Sequence, residues 1–474
     1  MDDKEVAVDT DAVSSDLELD KKLQWKRDLL LLPVLGVMYM LLFLDRTNIA
    51  NARIEGLEAG LNMPPTGYST ALWIFYVPFV LAEVPSNLIL ISGKVKPNYF
   101  LGGQMFLLGI LGMCQGLTAT YQGLWAIRFF MGAFEVALPA GATYMLSMYY
   151  TKRESSIRFA WFLNFALAGP IFSGLLAYGI VNLDGAGGLQ GWRWIFVIEG
   201  LMTIALACIC TVLLPDFPQN AQSWFLKPEE RDRLIDVLEA SRGAETKGSA
   251  IDLIPLWKVL IDWRIHLFTW CFFCCDITAS SIAAFAPTIL TELGWKSTTA
   301  QLMSMPVWGS GIVGSLSATW LAARFNIRAP FVLGGICFQL VGWVIMYVYV
   351  PQAGVRYMAL FFMSMGTFSQ MPLLLGWLSA NLRGRKFIAV GMAWMVGFGN
   401  CANFISSNIF VKWESPRYPT GFTSGLAFTV VGFGTALTMC ALLFWKNKKR
   451  DAARELMSEE ERELDDELHF KFVY

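Results

Sequence analysis

The sequence predicts an all-α polytopic membrane protein of twelve transmembrane helices arranged as two six-helix bundles. Three observations predict it. The 474 residues are 55% hydrophobic and only 16% charged, whereas a soluble chain carries about 25% charged residues to keep its surface wet. Mean hydropathy is +0.47, and apolar runs recur along the chain near the ~20 residues needed to cross hydrocarbon. One long hydrophilic stretch, 215–262, divides those runs six and six. Soluble-enzyme, secreted and nucleic-acid-binding classes are excluded together.

Charged residues and Pro or Gly punctuate the runs in order. The first bundle, residues 29–214, holds helices over 29–50, 69–92, 99–118, 122–147, 157–181 and 192–214. The second, 263–445, holds 264–288, 299–323, 330–350, 355–379, 387–411 and 421–445. Pro85 kinks the second helix by freeing a backbone carbonyl, and Gly169-Pro170 marks a bend in the fifth. Residues 1–28, with eight acids against one lysine in the first 20, are expected to be a disordered cytosolic tail. The 215–262 linker, amphipathic over 228–238, and the tail 446–474 are also expected in the cytosol.

Orientation follows from basic residues. Lys94, Lys96, Lys152, Arg153, Arg324, Arg328, Arg383, Arg385, Lys386 and the Lys446–Arg450 cluster fall on one side. The opposite connections carry only the scattered Arg53, Arg193, Lys296, Arg356, Lys412 and Arg417. The positive-inside bias places both termini in the cytosol. Tryptophans near run ends, among them Trp25, Trp73, Trp192, Trp295 and Trp445, suit the membrane interface.

Lipid disfavours Asp45, Arg46, Glu83, Arg128, Glu135 and Asp276 inside these spans, each at a cost of about 2.5–3.5 kcal/mol before pairing. Arg128 and Glu135, seven residues apart, share nearly one helix face about 10.5 Å apart along the axis. Arginine stays charged and presents a planar fork to a carboxylate, while a buried carboxyl can change protonation. Together these types suit transport of an organic anion with protons as the coupling ion. Fixed structural pairs, Asp45 with Arg128 or Arg46 with Glu135, are the rival reading. Glu83, beside Pro85, reads better as structural, and Glu199 is open between the two.

The second half is nearly free of charge in its spans apart from Asp276, but retains Gln339, Gln370, Asn381, Asn400, Asn403, Ser406 and Ser407. Asn400, Asn403 and Ser407 fall on one helix face. The expected cavity has proton-handling groups on one wall, completed by Asn164, and neutral hydrogen-bonding groups on the other. Asp276, mid-span without a nearby base, is expected to line it or to bond a neighbouring helix. Gly309-Ser310-Gly311-Ile312-Val313-Gly314 matches a dinucleotide fingerprint but sits in an apolar run rather than after a strand, so its glycines read as helix-packing positions. Cys271, Cys274 and Cys275 lie in a Phe-rich run without histidine, short of the about four ligands zinc takes. No cofactor, metal or catalytic nucleophile is expected.

The segment Leu44-Asp45-Arg46-Thr47-Asn48-Ile49-Ala50-Asn51-Ala52 resembles the first-helix signature of the anion:cation symporter family, a branch of the major facilitator superfamily. The resemblance continues through Glu83-Val84-Pro85-Ser86-Asn87, Arg128 to Glu135, Gly191-Trp192-Arg193-Trp194-Ile195-Phe196 with Glu199-Gly200, and Trp377 to Asn381 before Gly384-Arg385-Lys386. It covers essentially 29 to 450 and is nearest in character to fungal allantoate, nicotinate and pantothenate permeases. The resemblance implies that Asp45 and Glu135 carry protons, that Arg46 meets the substrate carboxylate, and that Arg128 couples to Glu135. It also implies that Asn400, or less directly Asn403, is a substrate amide. The chain departs from the pattern in the loop Gly93–Asn98, which lacks the usual Asp and Arg-x-Gly-Arg, and in Val136-Ala137 after Glu135. Asp276 has no expected counterpart.

The expected function is proton-coupled import of a small organic carboxylate, vitamin-like or nitrogenous, across a plasma membrane by a protein functional as a monomer in lipid. The substrate-binding candidates are Arg46, Asn164, Asp276, Gln370, Asn400 and Asn403. Proton coupling is assigned to Asp45, Glu135 and Arg128. A proton-independent anion facilitator or exchanger, and a ligand-binding nutrient sensor, are the alternatives.

Overall fold

The computed structural model describes residues 10–91, 95–221, 224–246, 261–382 and 385–455. The helices are α1 (Thr10–Ile54), α2 (Leu57–Gly60), α3 (Gly67–Ile91), α4 (Pro97–Leu117), α5 (Tyr121–Glu135), α6 (Ala137–Tyr149), α7 (Lys152–Ile180) and α8 (Gly191–Leu213). They continue with α9 (Pro228–Thr246), α10 (Trp263–Glu292), α11 (Ser297–Phe325), α12 (Ala329–Val348), α13 (Ala353–Asn381), α14 (Arg385–Asn400), α15 (Ala402–Ile409) and α16 (Pro419–Glu455). Among the described residues, nine helical stretches are long and apolar enough to cross a membrane. The protein is therefore an all-α polytopic membrane protein. α11 has comparable length, but its Ser, Thr and Gly content dilutes its apolarity.

Each predicted run falls on helix, and three differ instructively. α1 begins at Thr10, so residues 10–28 continue the first helix rather than forming a disordered tail. That extension has partners: Lys26 Nζ bonds Glu230 of α9 at 2.7 and 2.6 Å, and Arg233 reaches Asp20 at 3.1 Å. The fourth run breaks after Glu135, where Pro139 cannot donate to the carbonyl four residues before it. The eleventh breaks at Cys401, whose N–H bonds Phe398 at 3.0 Å in a tighter turn. There the Asn400 side chain also turns back onto the Val396 carbonyl at 2.9 Å, a local bond that competes with regular helix. Residues 93–94, 247–260 and those beyond 455, where the loop departure, part of the linker and the acidic tail lie, are outside the described residues.

In the first half α4 lies along α8, α1 along α7, and α3 along α5. In the second, α13 packs against both α11 and α12, while α10 contacts α14 and α16. The halves meet where α1 touches α10, α7 touches α11, and α3 touches α14 and α15. Close approach depends on small residues: a Cβ on Gly169 of α7 would lie 2.3 Å from the Met40 carbonyl oxygen of α1. Within the fingerprint-like segment, a Cβ on Gly314 would lie 2.6 Å from the Met365 carbonyl oxygen of α13.

The buried apolar side chains divide unevenly. One core, from Leu23 to Leu238, belongs to the first half, and another, from Ile265 to Leu443, to the second. A third is shared, joining Ile49, Leu57, Tyr68 and Leu124 to Phe285, Ala300, Trp343, Phe410 and Phe422. The halves are thus welded by apolar packing at one end. There the Tyr68 hydroxyl also donates to the Ala284 carbonyl at 2.8 Å, and the Gln301 amide to Glu55 at 3.0 Å.

Candidate functional site

The charged residues of the first half converge from three helices. α1 supplies Asp45 and Arg46, α5 supplies Arg128 and Glu135, and α8 faces Asp45 with Thr203. Arg46 Nε donates to Glu135 Oε1 in an ion pair, which is one of the two pairings the charges allowed. Glu135 is 1% exposed, and its second oxygen has no hydrogen-bond partner. The Arg46 guanidinium also lies 5.3, 5.6 and 5.1 Å from the ring centres of Phe43, Phe75 and Phe79. Aromatic faces within about 6 Å attract a cation, more so once it is desolvated.

Asp45, 2% exposed, accepts long bonds from Asn48 at 3.5 Å and Thr203 at 3.4 Å. Arg128 is 3% exposed, and its Nε and Nη2 have no hydrogen-bond partner. The resemblance couples Arg128 to Glu135; here the carboxylate is held by Arg46, and Arg128 acts on it only through space. Arg128's charge also acts on Asp45.

Asp276 belongs to the second half. It is half-buried on α10, which touches α1, and its Oδ2 accepts from the Asn403 amide at 3.1 Å. Arg46 is the charge that acts on it. Two tyrosines, Tyr39 on α1 and Tyr76 on α3, belong to the helices that carry Arg46 and its aromatic neighbours. Tyr39 stacks on Phe162 at 4.5 Å, and Tyr76 meets Phe404 of α15 edge-on at 6.5 Å. Sequence reasoning missed this aromatic lining. Its available signal was the spacing: Phe43 three residues before Arg46, and Phe75, Tyr76 and Phe79 within one turn or so of α3.

The remaining candidates sit apart from that centre in their bonding. The Asn164 amide nitrogen bonds its own helix at Ala160, 2.8 Å, while its buried oxygen has no partner. Asn400 bonds Val396 behind it, so the break at Cys401 separates its amide from that of Asn403. Gln370 donates to Gln339 at 2.8 Å and to the Gly366 carbonyl at 2.9 Å. Gln339 in turn donates to Thr278 and Thr429 at 2.5 and 3.1 Å, and the Trp343 indole to Thr278 at 3.0 Å. This network knits α10, α12, α13 and α16 within the second half. Among the described residues no group of three or more His, Cys, Asp or Glu is placed to hold a metal.

A membrane-spanning helical fold whose interior charges face one another across two halves belongs to the class of membrane transporters, not enzymes. The chain belongs to the Major Facilitator Superfamily, whose model matches residues 35–439, and it carries out small-molecule transport of that type. It is similar to the MFS transporter prlL of Fungal sp. (strain NRRL 50135), 31% identical over 439 residues, 89% of this chain and 86% of the relative. It also resembles the high-affinity nicotinic acid transporter of Saccharomyces cerevisiae, 27% identical over 468 residues, 96% of this chain and 85% of that one. Among solved structures, the proton:xylose symporter XylE superposes with a TM-score of 0.67 at 16% identity, covering 87% of this chain and 95% of XylE. A bacterial homologue of the human lysosomal transporter Spinster gives 0.65 at 12% identity, covering 86% and 96%.

Proposed function

We propose that this protein is a proton-coupled symporter of the anion:cation type, importing a small organic carboxylate such as nicotinate, allantoate or pantothenate across the plasma membrane. The observation that carries the reading is the buried Arg46–Glu135 pair beside Asp45 and Arg128. While Glu135 is ionised it occupies the Arg46 fork. A proton on Glu135 weakens that hold and frees the guanidinium for the substrate carboxylate. Proton and substrate then favour each other's binding, and such linkage is reciprocal. On the far wall Asp276, oriented by Asn403, receives a hydrogen bond from the nitrogen-bearing part of the acid. The aromatic lining of Phe43, Phe75, Phe79, Tyr39 and Tyr76 suits a compact, flat molecule, and a relative named for nicotinic acid supports that choice.

In this reading residues 29–214 and 263–445 form two six-helix bundles joined by a cytosolic linker, 215–262, with both termini cytosolic. They rock about the central site as a monomer in lipid, as repeat-built carriers do. The shared apolar core between the halves supports a state closed at its outer end. The test is uptake of labelled nicotinate, allantoate and pantothenate into proteoliposomes with and without an inward proton gradient. Accumulation of one acid above its outside concentration only with the gradient is expected. Equilibration at the same level in both conditions would convert the protein to a proton-independent facilitator.

A further inference from the structure

The first half holds one buried carboxyl for which the mechanism above has no use. Glu199 of α8 is fully buried, and neither of its oxygens has a hydrogen-bond partner. It lies four residues before Thr203 and so on the same helix face, the face that turns Thr203 toward Asp45. On α1, Asp45 and Asn48 are three residues apart and likewise share a face. The two helices therefore pair in two rungs: Thr203 with Asp45, and Glu199 with Asn48, whose amide stands beside it. The rungs are offset by about 6 Å along α8.

The orientation of the Asn48 amide is fixed by what lies behind it. The Ser173 hydroxyl donates to Asn48 Oδ1 at 2.9 Å and itself accepts from the Asn51 amide at 2.8 Å. With its carbonyl occupied, Asn48 turns its NH2 toward the carboxyls, and amide orientation is assigned from such networks. One amide with two N–H donors thus sits between Asp45 Oδ1, at 3.5 Å, and Glu199.

Charge balance completes the argument. The groups that act on one another here are Asp45, Glu135 and Glu199 against Arg46 and Arg128. Arg46 is committed to Glu135. One guanidinium, Arg128, remains for two carboxyls, and like charges this near one another in a low-dielectric interior repel strongly. With one proton held between them, Asp45 and Glu199 would carry one net negative charge, which Arg128 balances.

We propose that Glu199 is a third proton-exchanging carboxyl of the coupling cluster, and that Glu199 and Asp45, on either side of Asn48, hold one proton between them. The inference rests on the proton-coupled reading. Asn48 offers both acids only N–H donors, so the proton does not pass through it: one carboxyl releases its O–H proton to the transport path as the other takes one up, and the pair keeps a single proton. Asp45 is the charged group acting on Glu199, and Glu135 and Arg128 are those acting on Asp45. A purely structural Glu199 would keep one protonation state throughout.

Infrared difference spectroscopy of the purified, substrate-free protein during a pH titration tests this directly, because protonated carboxyls absorb apart from the amide bands. Wild type should show a carboxyl band that is lost in E199Q and shifted in D45N, and the double variant should lose it as E199Q does. E199D, one methylene shorter, should restore a shifted band, and it serves as the working variant if E199Q is not recovered folded. An E199Q or E199D titration superimposable on wild type overturns the proposal while leaving proton-coupled transport intact. A wild-type protein that transports one of the three acids without moving protons sinks that reading and this proposal with it.

Discussion

The two halves of the molecule bury different kinds of polar group. In the first, charged groups are left with capacity to spare: Arg128 has two unengaged donors, Glu135 one unengaged oxygen and Glu199 two. In the second, the Gln339 amide has its nitrogen on two hydroxyls and its oxygen under Gln370. A buried polar group without a partner costs about 1–3 kcal/mol, whereas a satisfied bond contributes roughly 1 kcal/mol net. The first half leaves that term on the charged groups Arg128, Glu135 and Glu199, whereas in the second it falls mainly on hydroxyls such as Thr288, Ser364 and Thr367. Groups without settled partners can take new ones, a proton or a carboxylate, which supports the proposed placing of coupling in the first half.

The sharpest way to break that comparison is to remove titration at Glu135. E135Q keeps the shape and an acceptor for Arg46 but carries no ionisable proton. Substrate exchange should continue while accumulation driven by a pH gradient falls to about the outside concentration. Undiminished accumulation by E135Q would move the coupling proton elsewhere, with Asp45 the remaining acid beside Arg128. Next in size is Arg46. R46K preserves charge but loses the planar fork, and charge-assisted bonds of this kind are worth about 1.5–3 kcal/mol. Binding affinity for the transported acid should drop roughly 10- to 100-fold with normal membrane insertion. Near-wild-type affinity of the purified variant would detach Arg46 from the carboxylate.

Two changes in the second half should behave differently from those, and from each other. Q370L strips the cap from the Gln339 oxygen, so it should destabilise the fold by about 1–3 kcal/mol. A lowered melting temperature with the substrate ranking unchanged is the expected result. A reordered ranking would bring Gln370 back to the substrate. D276N removes a charge already bonded to Asn403 and facing Arg46. It should reorder relative affinities across a panel of acids by a few-fold, about 0.5–1.5 kcal/mol, with little loss of stability. Altered protein yield with an unchanged ranking would make Asp276 a structural hydrogen-bonding group.

How far the site was legible in the sequence follows the same division. Asp45, Arg46, Arg128, Glu135 and Asp276 stand out because charge inside an apolar run has few innocent explanations. Their pairing was not legible, since Arg46 and Glu135 are 89 residues apart and Arg128 competes for the same carboxylate. The aromatic lining was hidden by abundance: in a chain with 14% aromatic residues, Tyr39 or Phe79 carries no mark of its place. Amides were the least legible. Asn400, Asn403 and Ser407 share a face on an ideal helix, but the turn at Cys401 gives Asn403 to Asp276 and returns Asn400 to its own backbone. Nor does local composition foretell that α1 extends well before its apolar run, because Asp20 and Lys26 are held from α9, more than 200 residues away.

The smallest expected effect lies where the halves touch outside the spans. Glu58 of α2 accepts from Arg53 at 2.8 Å and pairs with Lys412 of the second half. Burial pushes its carboxyl up, but the Arg53 and Lys412 charges outweigh that and hold it below the ordinary carboxylate range. A depressed value in the folded protein means that the pair's stabilisation is present above the ordinary, unfolded value. It is lost as pH falls through the folded one. Lys412 is half exposed, so solvent and salt screen the pair, and it is worth about 0–1 kcal/mol. The melting temperature of wild type should exceed that of K412A slightly at neutral pH, and the gap should close as the solution is acidified toward and below the usual carboxylate range. Raising salt at neutral pH should close it too. A gap that persists unchanged at acidic pH and high salt would mean that Lys412 joins the halves by packing its aliphatic stem rather than by its charge.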